Sequence, residues 1–104
     1  NDENALSCVI SLAYYSAQKN YTLHREMPAG KGFADIVFEP NRNCDLPALI
    51  VELKWGHSAE EAVEQIKQKD YLDCLKNYTG EVLLVGVNYD KEKRHTCRIE
   101  RVKM

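Results

Sequence analysis

The segment ALIVELKW, residues 48–55, limits the possible folds of this chain more than any other segment. Five of its first six residues are apolar, and a short apolar run of this kind is typical of a buried strand. The run nevertheless contains Glu52 and continues into Lys54, and these two side chains share one face because side chains alternate along a strand. We therefore expect a buried strand that presents a carboxylate and an ammonium group at its end.

Hydrophobic periodicity elsewhere predicts two helices and four further strands. Residues 4–18 have the pattern of a largely buried helix, and Ser58 with Glu61 forms a capping box that opens a second one. The apolar stripe of the second helix then shifts, so we expect a bend near Lys69 and Asp70. The strands are predicted at 21–27, 33–39, 48–55, 82–88 and 96–102. The order α-β-β-β-α-β-β predicts an α/β domain with a mixed central sheet flanked by helices.

Length and composition suit one compact domain over residues 1–104. With 44% hydrophobic and 29% charged residues, the composition is that of an ordinary globular protein, and no apolar run approaches membrane-spanning length. The chain begins at Asn1 within a helical pattern and without an initiator Met. We therefore expect a domain excised from a longer protein.

The net charge of -2 and the pI of about 5.9 argue against a broad basic surface for nucleic acid. A nuclease still fits this charge if its positive surface is local or if metal ions supply it. Four basic residues are candidates for a weak phosphate-facing surface, and equally for the solvated faces of a helix and a turn: Lys67, Lys69, Lys76 and Arg94.

The four cysteines are widely scattered, at Cys8, Cys44, Cys74 and Cys97. They form no C-x-x-C pair and no cluster with histidine, so a zinc site or a redox motif is not expected. Without a visible signal peptide, we expect four reduced thiols and a cytoplasmic location.

A second isolated charge, Asp35 in FADIVF, lies in the strand before ALIVELKW. If these two strands pair antiparallel around a loop centred between Asn43 and Cys44, the numbers of opposite residues add up to 87, and Asp35 lies opposite Glu52. Directly opposite residues share a face, with Cβ atoms about 4.5–5.5 Å apart. The two carboxylates then repel each other unless a cation lies between them.

A divalent cation resolves this repulsion, and Mg²⁺ favours one or two carboxylates together with water and phosphate oxygens. Lys54, one side-chain step further along the same face, is placed to meet a phosphate oxygen or an attacking water. Asp35, Glu52, a metal ion and Lys54 together suit metal-assisted hydrolysis of a phosphodiester. The alternative is purely structural: charges at strand ends are often solvated, and Asp35 can pair with Lys54 as an ion pair.

The segments GFADIVF, ALIVELK and EQIKQKDY, in this order, resemble the PD-(D/E)xK nuclease superfamily. The similarity is closest to the bacterial nuclease-like domain found C-terminal to an AAA-ATPase-like domain. It covers almost the whole chain and implies a restriction-endonuclease-like fold, a Mg²⁺- or Mn²⁺-dependent nuclease, and an AAA-ATPase-like domain in the same longer chain. The Pro that gives the motif its name is absent, and Ala34 stands before Asp35.

The resemblance also implies roles for individual residues. Asp35 matches the first acid of the motif, and Glu52 with Lys54 matches its E-x-K. Gln65 matches a polar residue often found on the following helix, and Glu3 matches, more weakly, an acid that completes the metal site in some members. The backbone carbonyl of Leu53 is a usual additional metal ligand in such sites.

Two functions from different classes remain open. The first is a metal-dependent nuclease with DNA as the expected substrate, and the second is a catalytically idle nucleic-acid-binding or regulatory module attached to the ATPase-like domain. Trp55 is placed either to stack on a base or to pack beneath the second helix, and packing is expected. His57 is expected to be a solvated loop residue.

Overall fold

The structure is a computed structural model that describes residues 3–29, 32–42, 44–68, 75, 80–92 and 94–103. Within these ranges, two helices and five strands follow one another in the predicted order. They are α1 (Glu3–Ser16), β1 (Tyr21–Ala29), β2 (Gly32–Pro40), β3 (Ala48–Trp55), α2 (Ala59–Gln68), β4 (Glu81–Tyr89) and β5 (His95–Lys103). The predicted bend near Lys69 and Asp70 lies outside the described residues.

The five strands form one mixed sheet in the order β1-β2-β3-β4-β5. Neighbours pair antiparallel except β3 and β4, which are parallel. Parallel neighbours need a long crossover connection, and α2 lies within the one that joins β3 to β4. The predicted α/β fold with a mixed central sheet flanked by helices is confirmed.

Each face of the sheet carries its own hydrophobic core. Alternate strand residues such as Ile50 and Leu84 pack with Val63 and Ile66 of α2. The residues between them, such as Val51, belong to the other core, which contains Cys8 and Leu12 of α1. Alternation along β3 therefore places Glu52 and Lys54 on the α2 face, and Leu53 and Trp55 on the α1 face.

Helix α2 begins as its sequence predicts. The Ser58 hydroxyl accepts a hydrogen bond from the Glu61 backbone N–H at 3.0 Å, which satisfies one of the unpaired donors of the first turn. Ala59, Ala62 and Val63 then face the sheet and are buried. Among the described residues, neither helix is long and apolar enough to span a membrane.

Gly86 of β4 allows α2 to lie unusually close to the sheet. A Cβ atom at this position would overlap the Ala59 carbonyl oxygen and approach the Ala62 Cβ and the Val63 backbone nitrogen to 2.9 Å. Gly86 is the neighbour of Glu52 in the β3–β4 register. The absence of a side chain at Gly86 therefore brings the first turns of α2 next to Glu52.

We expect Gly86→Ala to destabilise the domain by at least the roughly 1–3 kcal/mol typical of an overpacked core, because the added methyl meets helix backbone that has little freedom to move. In a domain of about 100 residues, each kcal/mol of lost stability lowers Tm by about 4–8 °C. Gly56→Ala is the comparison for backbone strain without a clash, because Gly56 has open space around it but a φ of 71°, which costs an L residue roughly 1–2 kcal/mol. A Gly86→Ala variant that melts at the same temperature as the parent would contradict the close approach of α2.

The prediction of four reduced thiols is wrong for one pair. A disulfide joins Cys8 of α1 to Cys97 of β5, with their Cα atoms 5.8 Å apart. The packing of α1 against this face of the sheet brings together two buried cysteines 89 positions apart in sequence, at a separation normal for a disulfide. Cys44 is a free, half-buried thiol, and Cys74 lies outside the described residues. The cytoplasmic expectation loses the support that it drew from reduced thiols.

Candidate active site

The register between β2 and β3 is the one predicted. Ile36 pairs with Val51, and Val37 with Ile50, so that the residue numbers of every pair add up to 87. One further step in the same register places Asp35 opposite Glu52, on the face that carries α2. The predicted register of the two strands is thus confirmed, whereas the approach of the two carboxylates and their binding of one metal ion stay predictions.

The sheet divides at Asp35. Pairing between β2 and β3 reaches only Ile36 and Val51, whereas β2 stays paired with β1, and β3 stays paired with β4 as far as Trp55 and Tyr89. The Asp35 carboxylate bridges the resulting gap, because its Oδ2 accepts a hydrogen bond from the Leu53 backbone N–H at 2.8 Å. This bond involves one of the two carboxylate oxygens and fixes Asp35 beside the end of β3.

Leu53 contributes its backbone to this gap, while its side chain points to the α1 face and is 51% exposed. A strand residue directs its N–H and its C=O toward the same neighbouring strand. Because the Leu53 N–H reaches Asp35, the Leu53 carbonyl also faces the gap. The role of this carbonyl as a backbone metal ligand stays a prediction.

Glu52 is a buried charged residue, with 3% of its surface exposed. It lies beside Gly86, over which the first turns of α2 pack. The N-terminus of a helix carries a partial positive charge that favours a nearby carboxylate. Burying a carboxylate costs free energy unless nearby positive charge compensates it. Carboxylates held in such positions are typical of functional sites.

Lys54 is half-buried on the same face, one side-chain step beyond Glu52. Its neighbour on β4 is Asn88, which is 7% exposed. The Asn88 Oδ1 accepts a hydrogen bond from the His57 backbone N–H at 2.9 Å, and the Gly56 N–H donates to the Tyr89 carbonyl at 2.9 Å. These two bonds hold the turn that follows Lys54.

Asn88 is a site residue that the sequence analysis did not identify. One sequence feature points to Asn88, because it is a polar residue that ends the apolar strand segment VLLVGVN. Its burial next to Lys54 depends on the parallel pairing of β3 and β4, which joins strands far apart in the chain. We assign it a positioning role, because its hydrogen bond fixes the turn after Lys54.

Gln65 is a half-buried residue of α2. The opposite flank of this helix carries Glu60 and Lys67, which pair with Arg98 and Glu100 of β5. Positions on opposite flanks of a helix point to opposite sides, so Gln65 is directed away from β5 and toward β3. The role that the superfamily resemblance implies for Gln65 stays a prediction.

Two further predictions concern residues near the site. Glu3 is the first residue of α1, but its side chain lies outside the described part of the chain. His57 is exposed as predicted, with its Nδ1 3.0 Å from a Glu61 carboxylate oxygen.

In the ranges that the structure describes, no group of three or more Asp, Glu, His or Cys side chains is placed to hold a metal ion. The candidate metal ligands that are described are therefore Asp35, Glu52 and the Leu53 carbonyl, a set of oxygen donors that fits Mg²⁺ or Mn²⁺.

Two of the four basic residues proposed as a phosphate-facing surface, Lys67 and Arg94, are paired with carboxylates. Lys67 contacts Glu100, whose hydrogen bond raises the pKa of the Lys67 ammonium. The Arg94 guanidinium lies 2.6 Å from Glu92 Oε2 and 3.4 Å from Asp90 Oδ2. The backbone N–H groups of Arg94 and Glu92 donate to the Asp90 carboxylate and lower its pKa. The other two members lie outside the described residues: Lys69 and Lys76. Lys67 and Arg94 thus behave as solvated, neutralised surface charges.

The chain has the fold of a restriction-endonuclease-like α/β protein. Its mixed five-stranded sheet has helices packed on both faces, and an Asp and a Glu-x-Lys set lie where two strands separate. The sequence model of the PD-(D/E)XK nuclease superfamily matches residues 1–99. The chain belongs to this superfamily. Its members are generally nuclease hydrolases and typically use divalent metals. No curated protein and no solved structure matches the chain closely enough to add to this assignment.

Proposed function

We propose that the chain hydrolyses phosphodiester bonds in DNA with the help of Mg²⁺ or Mn²⁺. The observation that carries this proposal is the register of β2 and β3, which brings Asp35 opposite Glu52 and leaves Lys54 on the same face at the point where the sheet divides. Membership in a nuclease superfamily supports the same reaction class.

Each residue of the site has a distinct task in this proposal. Asp35, Glu52 and the Leu53 carbonyl hold the metal ion, and Glu3 is a further candidate ligand. A divalent ion bound there supplies a Lewis acid and a water of lowered pKa. The Lys54 ammonium stabilises negative charge on the phosphate or orients the attacking water. Gln65 approaches the same space from α2.

We further propose that the domain acts as one part of a longer chain that also contains an AAA-ATPase-like domain. The support for this partner is the resemblance of GFADIVF, ALIVELK and EQIKQKDY to nuclease-like domains of that arrangement. The modest charge of the chain, with Lys67 and Arg94 both paired to carboxylates, is compatible with substrate delivery by a second domain. This arrangement also suits the second candidate function, an idle binding or regulatory module.

The test is cleavage of single- and double-stranded DNA by the chain with Mg²⁺ or Mn²⁺ and with EDTA, alone and within the full-length protein. We expect products that appear only with the divalent metal. RNA of the same sequence serves as the comparison substrate. If folded, metal-loaded protein cleaves neither DNA nor RNA in either form, the nuclease proposal fails and the idle module takes its place.

A further inference from the structure

Three aromatic side chains form an exposed stack on the α1 face of the sheet, in one row across β3, β4 and β5. The Trp55 and Tyr89 rings have centroids 5.4 Å apart and planes inclined by 22°, and the Tyr89 and His95 rings are 6.2 Å apart and nearly parallel. Trp55 is 61% exposed and Tyr89 is 40% exposed. The expectation that Trp55 packs beneath α2 is therefore wrong, because alternation along β3 directs its side chain to the other face.

The exposure of this row contrasts with the rest of the same face. Two rows further along this face, the paired residues Val51 and Val85 are buried in the core that includes residues of α1. Leu53, which adjoins Trp55 on this face, is 51% exposed and extends the apolar surface. Large aromatic side chains contribute most to stability when buried, so a row of them left in water at the end of the sheet indicates a ligand with a flat apolar face.

The end of the stack presents one ring face toward the β2 side of β3, on the sheet face opposite the one that carries Glu52 and Lys54. Trp55 is the end member, so one of its faces lies against Tyr89 and the other is directed away from β4. That outer face points to the side on which β2 has separated from β3, the gap that Asp35 borders. Trp55 directly follows Lys54 at the end of β3, and because side chains alternate, the indole and the Lys54 ammonium lie on opposite faces of that strand end.

A nucleic-acid base is the flat apolar group that matches this surface. Aromatic side chains bind single strands by stacking on successive bases, a contact that tolerates any sequence because every base has a π-face. The stacked neighbours hold the indole in place before binding, which lowers the entropic cost of adding another ring. In a duplex both faces of an internal base are covered by its neighbours, so the indole selects an unpaired base or one at a strand end.

We propose that the outer face of Trp55 stacks on an unpaired base of the DNA strand that enters the active site, and so gives the enzyme a preference for single-stranded or frayed DNA. The inference rests on the proposed function in taking DNA as the ligand. A base on Trp55 brings the phosphate of the same strand toward Lys54, on the other side of the divided sheet. Trp55 is then a substrate-binding residue rather than a core residue.

Fluorescence gives a direct test, because Trp55 is the one tryptophan of the chain. The 104-residue chain is titrated in EDTA, where no metal-dependent cleavage occurs, with a single-stranded DNA of roughly 12 nucleotides, within the usual site size of stacking proteins. We expect strong quenching of the Trp55 emission. The same strand in a blunt duplex should quench much less, and RNA of the same sequence is the third arm.

Affinity measured by the anisotropy of a labelled oligonucleotide completes the test. We expect Trp55→Ala to weaken binding of the single strand roughly 5- to 150-fold, the range for loss of one stacked base, and Trp55→Phe to retain most of the affinity. Tyr14→Ala is the matched control, because Tyr14 is an aromatic residue of α1 that is 56% exposed. Thermal melts establish that each variant is folded.

The outcomes separate this inference from the nuclease itself. Equal quenching by duplex and single strand, quenching by RNA alone, or equal affinity of Trp55→Ala and Tyr14→Ala overturns the stacking site. Metal-dependent cleavage without any quenching of Trp55 supports the nuclease proposal but overturns the stacking site. A neighbouring domain is then the remaining candidate to cover the aromatic row. Quenching by single-stranded DNA, lost in Trp55→Ala, supports the site even if the chain cleaves nothing.

Discussion

Replacing Lys54 with alanine is expected to lower the rate of metal-dependent DNA cleavage by roughly 10²–10³-fold, the usual loss for one preorganised electrostatic contact. Lys54 lies one side-chain step beyond Glu52 on the same face, beside the buried Asn88. An ammonium group is repelled by a metal ion and attracted by a phosphate, so metal binding should persist in the variant. Single-turnover cleavage of a labelled oligonucleotide measures the rate, and Mn²⁺-dependent thermal melts measure metal binding.

Two further variants isolate the charge of Lys54. Lys54→Met keeps most of the apolar stem of the side chain and should lose as much activity as the alanine variant, because the stem is not the part that acts on the phosphate. Lys103→Ala removes an exposed lysine from the far end of β5, opposite Glu81, and should cleave at the parent rate. If the Lys54→Ala variant cleaves DNA as fast as the Lys103→Ala variant, Lys54 takes no part in the reaction.

Replacing Asp35 with asparagine is expected to abolish most of the stabilisation that a divalent metal gives to the fold. At a metal concentration of about 100 times Kd, binding to the native state alone contributes roughly 2.7 kcal/mol to the free energy of unfolding. Asparagine keeps an oxygen that can accept the Leu53 N–H but loses the negative charge that attracts the cation. It also removes the repulsion with Glu52, so the stability without metal should be retained or raised.

Thermal melts with Mn²⁺ and with EDTA test this expectation, and cleavage assays on the same samples should show loss of activity. Asp45→Asn is the matched control, since Asp45 is exposed in the loop before β3, at the end of that strand remote from Glu52. It should show the same metal-dependent shift in Tm as the parent. An equal shift for Asp35→Asn would place the metal away from this pair of strands.

The two variants also distinguish the enzyme from an idle binding module. In the enzyme, Asp35→Asn and Lys54→Ala both lose cleavage, but only the first loses metal binding. In the idle module the parent does not cleave, and Lys54→Ala changes no more than the affinity for nucleic acid or for a partner domain. The pattern across the two variants carries more weight than either variant alone.

Much of the fold and the core of the candidate site followed from local sequence patterns. Every strand was predicted to within about two residues of its observed limits, because side-chain alternation and turn residues act over a few positions. The register of β2 and β3 followed as well, since these strands are joined by one short loop, and a shift of one residue would have turned the apolar side chains of β3 to the wrong face. Asp35, Glu52 and Lys54 could therefore be placed on one face before the structure was known.

The remaining features depend on contacts between segments far apart in the chain, which local patterns do not specify. Parallel pairing of β3 with β4 places Asn88 beside Lys54 and Tyr89 beside Trp55, and Trp55 is exposed because the core formed with α1 ends short of that row. The Cys8–Cys97 bond likewise requires α1 to pack against β5. Spacing and periodicity describe what each segment prefers by itself, whereas the surroundings of Asn88, Trp55 and Cys97 are set by which segments meet across the sheet.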